Sequence, residues 1–386
     1  MSRWPYFAED EIEAAVRVLR SGRVNYWTGE EGRAFEREFA AFAGTRHAVA
    51  LSNGTVALEL ALRALGVGPG DRVVVTPRSF FASAAAVVAV GAEPVFADVD
   101  RDSQNITARS VERVLDSRTR AVICVHLAGW PCEMEELLEL ARARGLFVLE
   151  DCAQAHGARV RGRSVGSFGD LAAWSFCQDK IVTTGGEGGM VTTDDEALFR
   201  RVWSLKDHGK DFDLAHSPPQ RPGFRWLHAS FGTNARMTEM QAAIGRRQLA
   251  KLPEWHARRA RNAALYRAAL GDLATVRIPW PPEHLTHAFY KFYLFVVPEA
   301  LAAGWSRDRI LAEAGEAGVP VFSGSCPEIY LERAFEGTPW RPGERLPVAR
   351  ELGETSLMLE VHPTLDEEEV LRRADLLRGI LRRAQR

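Results

Sequence analysis

The chain has 386 residues, 46% of them apolar and 26% charged, with a formal net charge of −2. That length exceeds one ordinary core and suits a large domain with a smaller one, and the near-neutral charge argues against nucleic acid or an acidic membrane surface as partner. Five cysteines without a CxxC pair argue for free thiols in a reducing cytoplasm, and against a disulfide framework or a metal site. Acids stand near the N-terminus where a signal peptide would be apolar, and no run is long enough to span a bilayer, which agrees with a cytoplasmic place.

In chain order, residues 9–20 carry apolar positions at helical spacing behind a first turn of acids, and 33–43 read as a second helix. Between them lies SGRVNYWTGEEG, a connector whose aromatics Tyr26 and Trp27 fit either a surface turn or the rim of a site. At 49–66 a short apolar strand meets Ser52-Asn53-Gly54-Thr55 and then a strong helical run. Those four residues taken alone read first as a plain N-cap, a common feature, and second as a phosphate cradle at a helix start. From 70 to 150, continuous apolar strands alternate with helices across short connections, the pattern of a largely parallel sheet covered on both faces. Ligands of such a sheet sit at the carboxyl ends of its strands, where Gly54, Phe80, His126 and Asp151 fall. The Pro-rich patch at 217–223 reads as a loop, and 238–270 as a long helix with a kink expected at Pro253. Further strands and helices beyond it predict a smaller α+β domain. The expected division is 1–250 for the large α/β domain and 251–386 for the small one.

The chemistry concentrates in 146–193. LFVLEDCAQAHGA is a strand ending in Glu150 and Asp151. DLAAWSFCQDKIVTTGGEGGMVTT is a strand ending at Ser175, then Lys180 and a glycine-rich loop. A lone lysine beside glycines is ordinarily a solvated surface residue. Here a strand-end Asp, a Gly-Thr helix start and a GGEGG loop surround it. Together they form a candidate site for pyridoxal 5'-phosphate, which needs an amine for a Schiff base, an anion opposite its ring nitrogen and donors for its phosphate. Lys180 would supply the amine, Asp151 the anion, and Phe80 a ring to stack on the cofactor face.

The runs SNGTVALELAL, EDCAQAHGA, SFGDLAAWSFCQDKIVTTGGEGGMVTT and GTNARMTEMQAAIGRRQL resemble the DegT/DnrJ/EryC1/StrS family of sugar aminotransferases, in the family's order and across nearly the whole chain. The resemblance implies a fold-type I aminotransferase. It also implies a homodimer with shared active sites, and transfer of an amino group from an amino acid, typically L-glutamate, to a nucleotide-linked keto sugar. Position by position, Lys180 matches the Schiff-base lysine, Asp151 the partner of the ring nitrogen and Gln154 the contact to the ring hydroxyl. Gly54, Thr55 and Ser175 match phosphate binders, Phe80 the stacking aromatic, and Asn234 an asparagine reaching the phosphate from the neighbouring subunit. Members that remove a sugar hydroxyl carry histidine in place of the lysine, so Lys180 counts against a dehydratase. A desulfurase would need a cysteine on a loop by the cofactor, and Cys177 is expected in the pocket wall instead. A regulatory binder would have no use for the Schiff-base set. Acceptor-binding residues are sought among Tyr26, Trp27, His208 and 322–330.

Overall fold

The structure, a computed structural model, describes residues 4–218 and 223–386. The loop expected over 217–223 therefore lies largely outside the described residues.

Seven strands make the main sheet: β1 (His47–Leu51), β2 (Arg72–Val75), β3 (Glu93–Phe96), β4 (Thr119–Val125), β5 (Phe147–Asp151), β6 (Leu171–Ser175) and β7 (Gly189–Thr193). Their order across the sheet is β1-β7-β6-β5-β4-β2-β3. The five strands from β6 to β3 pair in parallel, and β7 alone runs against both its neighbours. The α/β class with a mostly parallel sheet is therefore as expected. Val73 and Val75 of β2 pack on one face with Ile123 and Leu149, while Val74 packs on the other with Val122 and Val148. Burial on both faces explains why these strands are apolar runs without alternation.

Helix α1 (Glu9–Ser21) and α2 (Glu31–Ala43) pack on the long helix Glu239–Leu270; α3 (Gly54–Ala64) and α4 (Ala82–Ala89) follow β1 and β2. The long helix is one uninterrupted element through Pro253, where a kink is expected, and it crosses the expected boundary at 250/251. A ring at 253 removes only one N–H donor, and packing of the flanking turns carries the helix on. Its C-terminal half joins a second core around Tyr266, Leu294, Ile310, Leu357 and Leu377. There a four-stranded antiparallel sheet runs in the order Val276–Arg277, Phe292–Val296, Ser356–Leu359, Val321–Phe322. Among the described residues no helix is long and apolar enough to cross a membrane.

Candidate active site

The site begins where β1 turns into α3. Asn53 caps the helix, its side-chain oxygen accepting from Val56 N at 2.9 Å. The N–H groups of Gly54 and Thr55 take no acceptor among the described residues, so the positive end of the helix dipole stays open. Two glycines permit the close approach: a Cβ on Gly54 would lie 2.6 Å from Ser175 Cβ, and one on Gly189 would lie 2.3 Å from the Asn53 carbonyl oxygen. Gly189 pairs with Leu51 of β1 and with Ser175 of β6, which brings the Ser175 hydroxyl against the start of α3. That hydroxyl accepts from Cys177 N at 3.4 Å, and its proton finds no protein acceptor among the described residues.

Lys180 stands on the loop after β6. Phe176 N donates to the Gly188 carbonyl at 2.8 Å and Gln178 N to Gly186 at 3.0 Å, closing the loop on itself. Gly185 and Gly186 have φ of 92° and 129°, the left-handed region that favours glycine. The Lys180 carbonyl accepts from the Trp4 indole at 2.9 Å. Its Nζ makes no hydrogen bond or ion pair among the described residues and lies 5.1 Å from the centre of the Tyr290 ring. The Tyr290 hydroxyl donates to Asp179. Burial pushes the Asp179 carboxyl up, but Lys180 and the Tyr290 hydrogen bond outweigh it and hold the group below its ordinary value.

The two carboxylates closing β5 face different neighbours, as alternation along a strand requires. Glu150 accepts from Gly166 N at 2.8 Å, Phe168 N at 2.7 Å, Gly169 N at 2.8 Å and His126 Nε2 at 3.1 Å. His126 Nδ1 accepts from Cys132 N, so Nε2 carries the proton. Asp151 accepts from Ser83 Oγ at 2.9 Å and from Ala153 N at 3.1 Å. Burial raises its carboxyl above the ordinary value, opposed by those two hydrogen bonds and by the Lys180 charge. Gln154 Oε1 accepts from Ala128 N at 2.7 Å, which leaves its amide N–H groups to donate elsewhere.

These elements enclose a cavity of about 740 Å³. Gly54, Thr55, Phe80, Gln154, Ser175 and Lys180 line it; Asp151 is buried behind that wall, and Cys177 is in it as expected. Phe80 is 66% exposed on the cavity wall, and its ring has no ring partner among the described residues. Asn234 is exposed and does not line the cavity of its own chain; the segment passes the end of β1, where Ser52 N donates to the Ala235 carbonyl. The far wall comes from Tyr290, Lys291, Tyr293, Phe322, Met358 and Glu360. Of the residues proposed for acceptor contact, only the 322–330 segment reaches the cavity, through Phe322, Gly324 and Ser325. Tyr26 is buried, its hydroxyl on Glu36 and its ring 3.9 Å from Lys206 Nζ, and Trp27 donates to Asp207 at 2.6 Å. Both aromatics support the fold away from the cavity, because the connector folds inward onto the buried Lys206.

Around one cavity the chain thus gathers a lysine without an ion partner among the described residues, an open helix start and a buried carboxylate. The profile of the DegT/DnrJ/EryC1/StrS aminotransferase family matches residues 5–378. The chain belongs to that family. It is an aminotransferase, a transferase of nitrogenous groups. It is 37% identical over 369 residues to dTDP-3-amino-3,4,6-trideoxy-alpha-D-glucose transaminase of Streptomyces venezuelae, covering 95% of this chain and 91% of that one. It is also 37% identical over 372 residues to a UDP-N-acetyl-3-dehydro-alpha-D-glucosamine 3-aminotransferase of Acidithiobacillus ferrooxidans, covering 96% and 94%. Among solved structures, an aminotransferase from Psychrobacter cryohalolentis superposes with a TM-score of 0.97 at 52% identity, over 99% of both chains.

Proposed function

We propose that this aminotransferase uses pyridoxal 5'-phosphate to move an amino group from an amino acid, L-glutamate in our reading, to a keto sugar carried on a nucleotide. The relatives' sugar-nucleotide substrates support the acceptor class, and the observation that carries the reading is the unpaired Lys180 amine inside the cavity. The donor set fits the cofactor. Two free N–H groups at a helix start and the Ser175 hydroxyl suit a doubly charged phosphate. The uncovered Phe80 ring suits a flat heterocycle, and the buried Asp151 suits a ring cation. When bound, the cofactor supplies the carbonyl carbon that takes up nitrogen and the ring that accepts electrons.

The chain's own residues do the rest. Gly54, Thr55 and Ser175 hold the phosphate, and Gln154 donates its free amide N–H to the ring hydroxyl. Asp151 faces the ring nitrogen, where a ring cation offsets the burial that raises its pKa. Lys180 Nζ anchors the cofactor and, once displaced, carries the proton from the donor's reacting carbon and returns one in the second half of the cycle. Two half-reactions make the kinetics ping-pong.

In this reading the enzyme is a cytoplasmic homodimer, each site completed by Asn234 of the other subunit, with domains divided near residue 250. The exposed Phe231, Trp226 and Asn234 support an interface there, because large aromatic rings left in water on one segment mark contact surfaces. The test is spectroscopic. The purified enzyme should carry the cofactor's visible absorbance, lose it on adding L-glutamate, and regain it with one of a panel of nucleotide-linked keto sugars. A colourless protein that takes up no cofactor would overturn the reading.

A further inference from the structure

The cavity holds a second lysine. Among the described lining residues Lys180 and Lys291 are the only cations. Their ammonium nitrogens lie 5.1 and 5.3 Å from the centre of one ring, that of Tyr290. Lys291 is partly buried and makes no side-chain hydrogen bond or ion pair among the described residues. The two carboxylates that act on it through space are already engaged. Asp179 accepts from the Tyr290 hydroxyl, and Glu360 lies 3.4 Å from Arg373 and 3.8 Å from His362. Burial accordingly pushes the Lys291 ammonium below its ordinary value.

An ammonium withdrawn from water with no carboxylate in direct contact costs stability unless a visiting anion completes it. We propose that Lys291 is a substrate-binding residue that takes a carboxylate of the molecule reacting at Lys180. The assignment rests on the aminotransferase reading and deepens it. Every α-amino acid donor carries a carboxylate on the carbon bonded to its reacting nitrogen. A cation on the same ring as Lys180 is placed to hold that carboxylate and so orient the carbon whose proton moves. An acceptor sugar bearing an acid group would present the same chemistry. Phosphate already has its own cradle at the start of α3, beside Ser175. Lysine binds as a compact point charge, so Arg can replace it in part and a neutral side chain of equal length cannot.

The test uses holoenzyme and the variants Lys291→Met and Lys291→Arg, each checked for native circular dichroism and bound cofactor. The donor arm measures half-saturation and maximum rate of the half-reaction with L-glutamate. The acceptor arm measures binding of the dead-end pair UDP-glucuronate and UDP-glucose, which differ in the sugar acid. Loss of one charged contact predicts that Lys291→Met weakens the affected ligand by roughly 10- to 100-fold, with a much smaller change in maximum rate. Lys291→Arg should recover most of that loss. A shift confined to L-glutamate assigns the donor carboxylate; a shift confined to UDP-glucuronate assigns an acidic acceptor. Four outcomes would overturn the proposal: every ligand within twofold of wild type, equal shifts for both UDP sugars, a fall in rate at unchanged half-saturation, or Arg as impaired as Met. A failure of the underlying reading would look different, because wild type itself would then show no half-reaction.

Discussion

The Ser83 hydroxyl donates to Asp151 Oδ2 at 2.9 Å, from the first turn of the helix that follows Phe80, and Ser79 lies 3.1 Å beyond Ser83. One short stretch, the end of a loop and the first turn of the next helix, therefore carries both the aromatic wall of the cavity and the support that fixes the carboxylate behind it. In Asp151→Asn the shape is kept but the anion is lost, so a cationic ring is no longer stabilised as electrons move into it. Because this interaction grows as the carbanion develops, the loss should fall on rate and not on binding. Proton abstraction from L-glutamate should slow by roughly 100-fold or more, the usual cost of removing one preorganised electrostatic group. Single-turnover absorbance measures it, and an unchanged rate would remove Asp151 from the chemistry.

Glu150 gives a prediction about stability. Burial alone would push its carboxyl up; the His126 hydrogen bond and charge and the N–H groups of Gly169 and Gly166 outweigh burial and hold it below its ordinary value. A depressed carboxyl contributes stability that is fully present above the unfolded pKa of about 4.3 and is lost as pH falls through the lower folded value. Glu150→Gln should cost about 1–3 kcal/mol near neutral pH, because it takes a buried anion away from its N–H donors and turns an amide N–H towards them. Its melting temperature should also fall less steeply than that of wild type below about pH 4. Thermal unfolding across pH checks both halves of the expectation.

Much of the site was legible because it is local. Asp151 and Gln154 share one turn, Ser175 and Lys180 share one loop, and continuous apolar strands mark a sheet whose carboxyl ends collect ligands. The far wall was not legible for a physical reason. Lys291, Tyr293, Phe322 and Glu360 arrive from elements distant in sequence, and two of the strands carrying that wall's sheet have only two residues. Two residues cannot display an alternation. Tyr26 and Trp27 were misleading in the opposite sense. Turn residues surround them in sequence, yet the chain folds them inward, with Tyr26 between Glu36 and Trp203. Lys291 sits between aromatics that read simply as strand, so no local signal separated it from an ordinary exposed lysine.

Gly54 tests the cradle. Its missing side chain is what lets Ser175 approach, since a Cβ would lie 2.6 Å from Ser175 Cβ and 3.2 Å from Ser175 Cα. Both partners stand on rigid elements, so Gly54→Ala must separate β6 from the start of α3. Overpacking of this kind costs about 1–3 kcal/mol, and the separation moves the hydroxyl away from the helix N–H groups. The expected result is a lower melting temperature of the apoprotein together with weaker cofactor uptake in equilibrium dialysis. Normal uptake by a folded variant would show that the phosphate does not sit between these residues.

The last prediction concerns Asn234, which is exposed and does not line its own chain's cavity, although Ala235 beside it accepts from Ser52 at the end of β1. If it serves the phosphate of the other subunit, each site needs Lys180, Thr55 and Ser175 from one chain and Asn234 from its partner. Two inactive variants then complement each other. Lys180→Ala removes an amine with no hydrogen bond or ion pair among the described residues, and the Trp4 contact to its backbone carbonyl remains. It should therefore fold and dimerise with stability within about 0.5 kcal/mol of wild type, while failing to anchor the cofactor. Asn234→Asp places a negative charge against a doubly charged phosphate and should release it. On subunit exchange, one site of each mixed dimer combines both lesions. The other joins an intact Lys180 to an intact Asn234. Activity should rise from near zero in either parent towards one working site per mixed dimer, followed by turnover as exchange proceeds and by mass spectrometry of the dimers. Mixed dimers that form and stay inactive would place Asn234 outside the partner's site and end the shared-site reading.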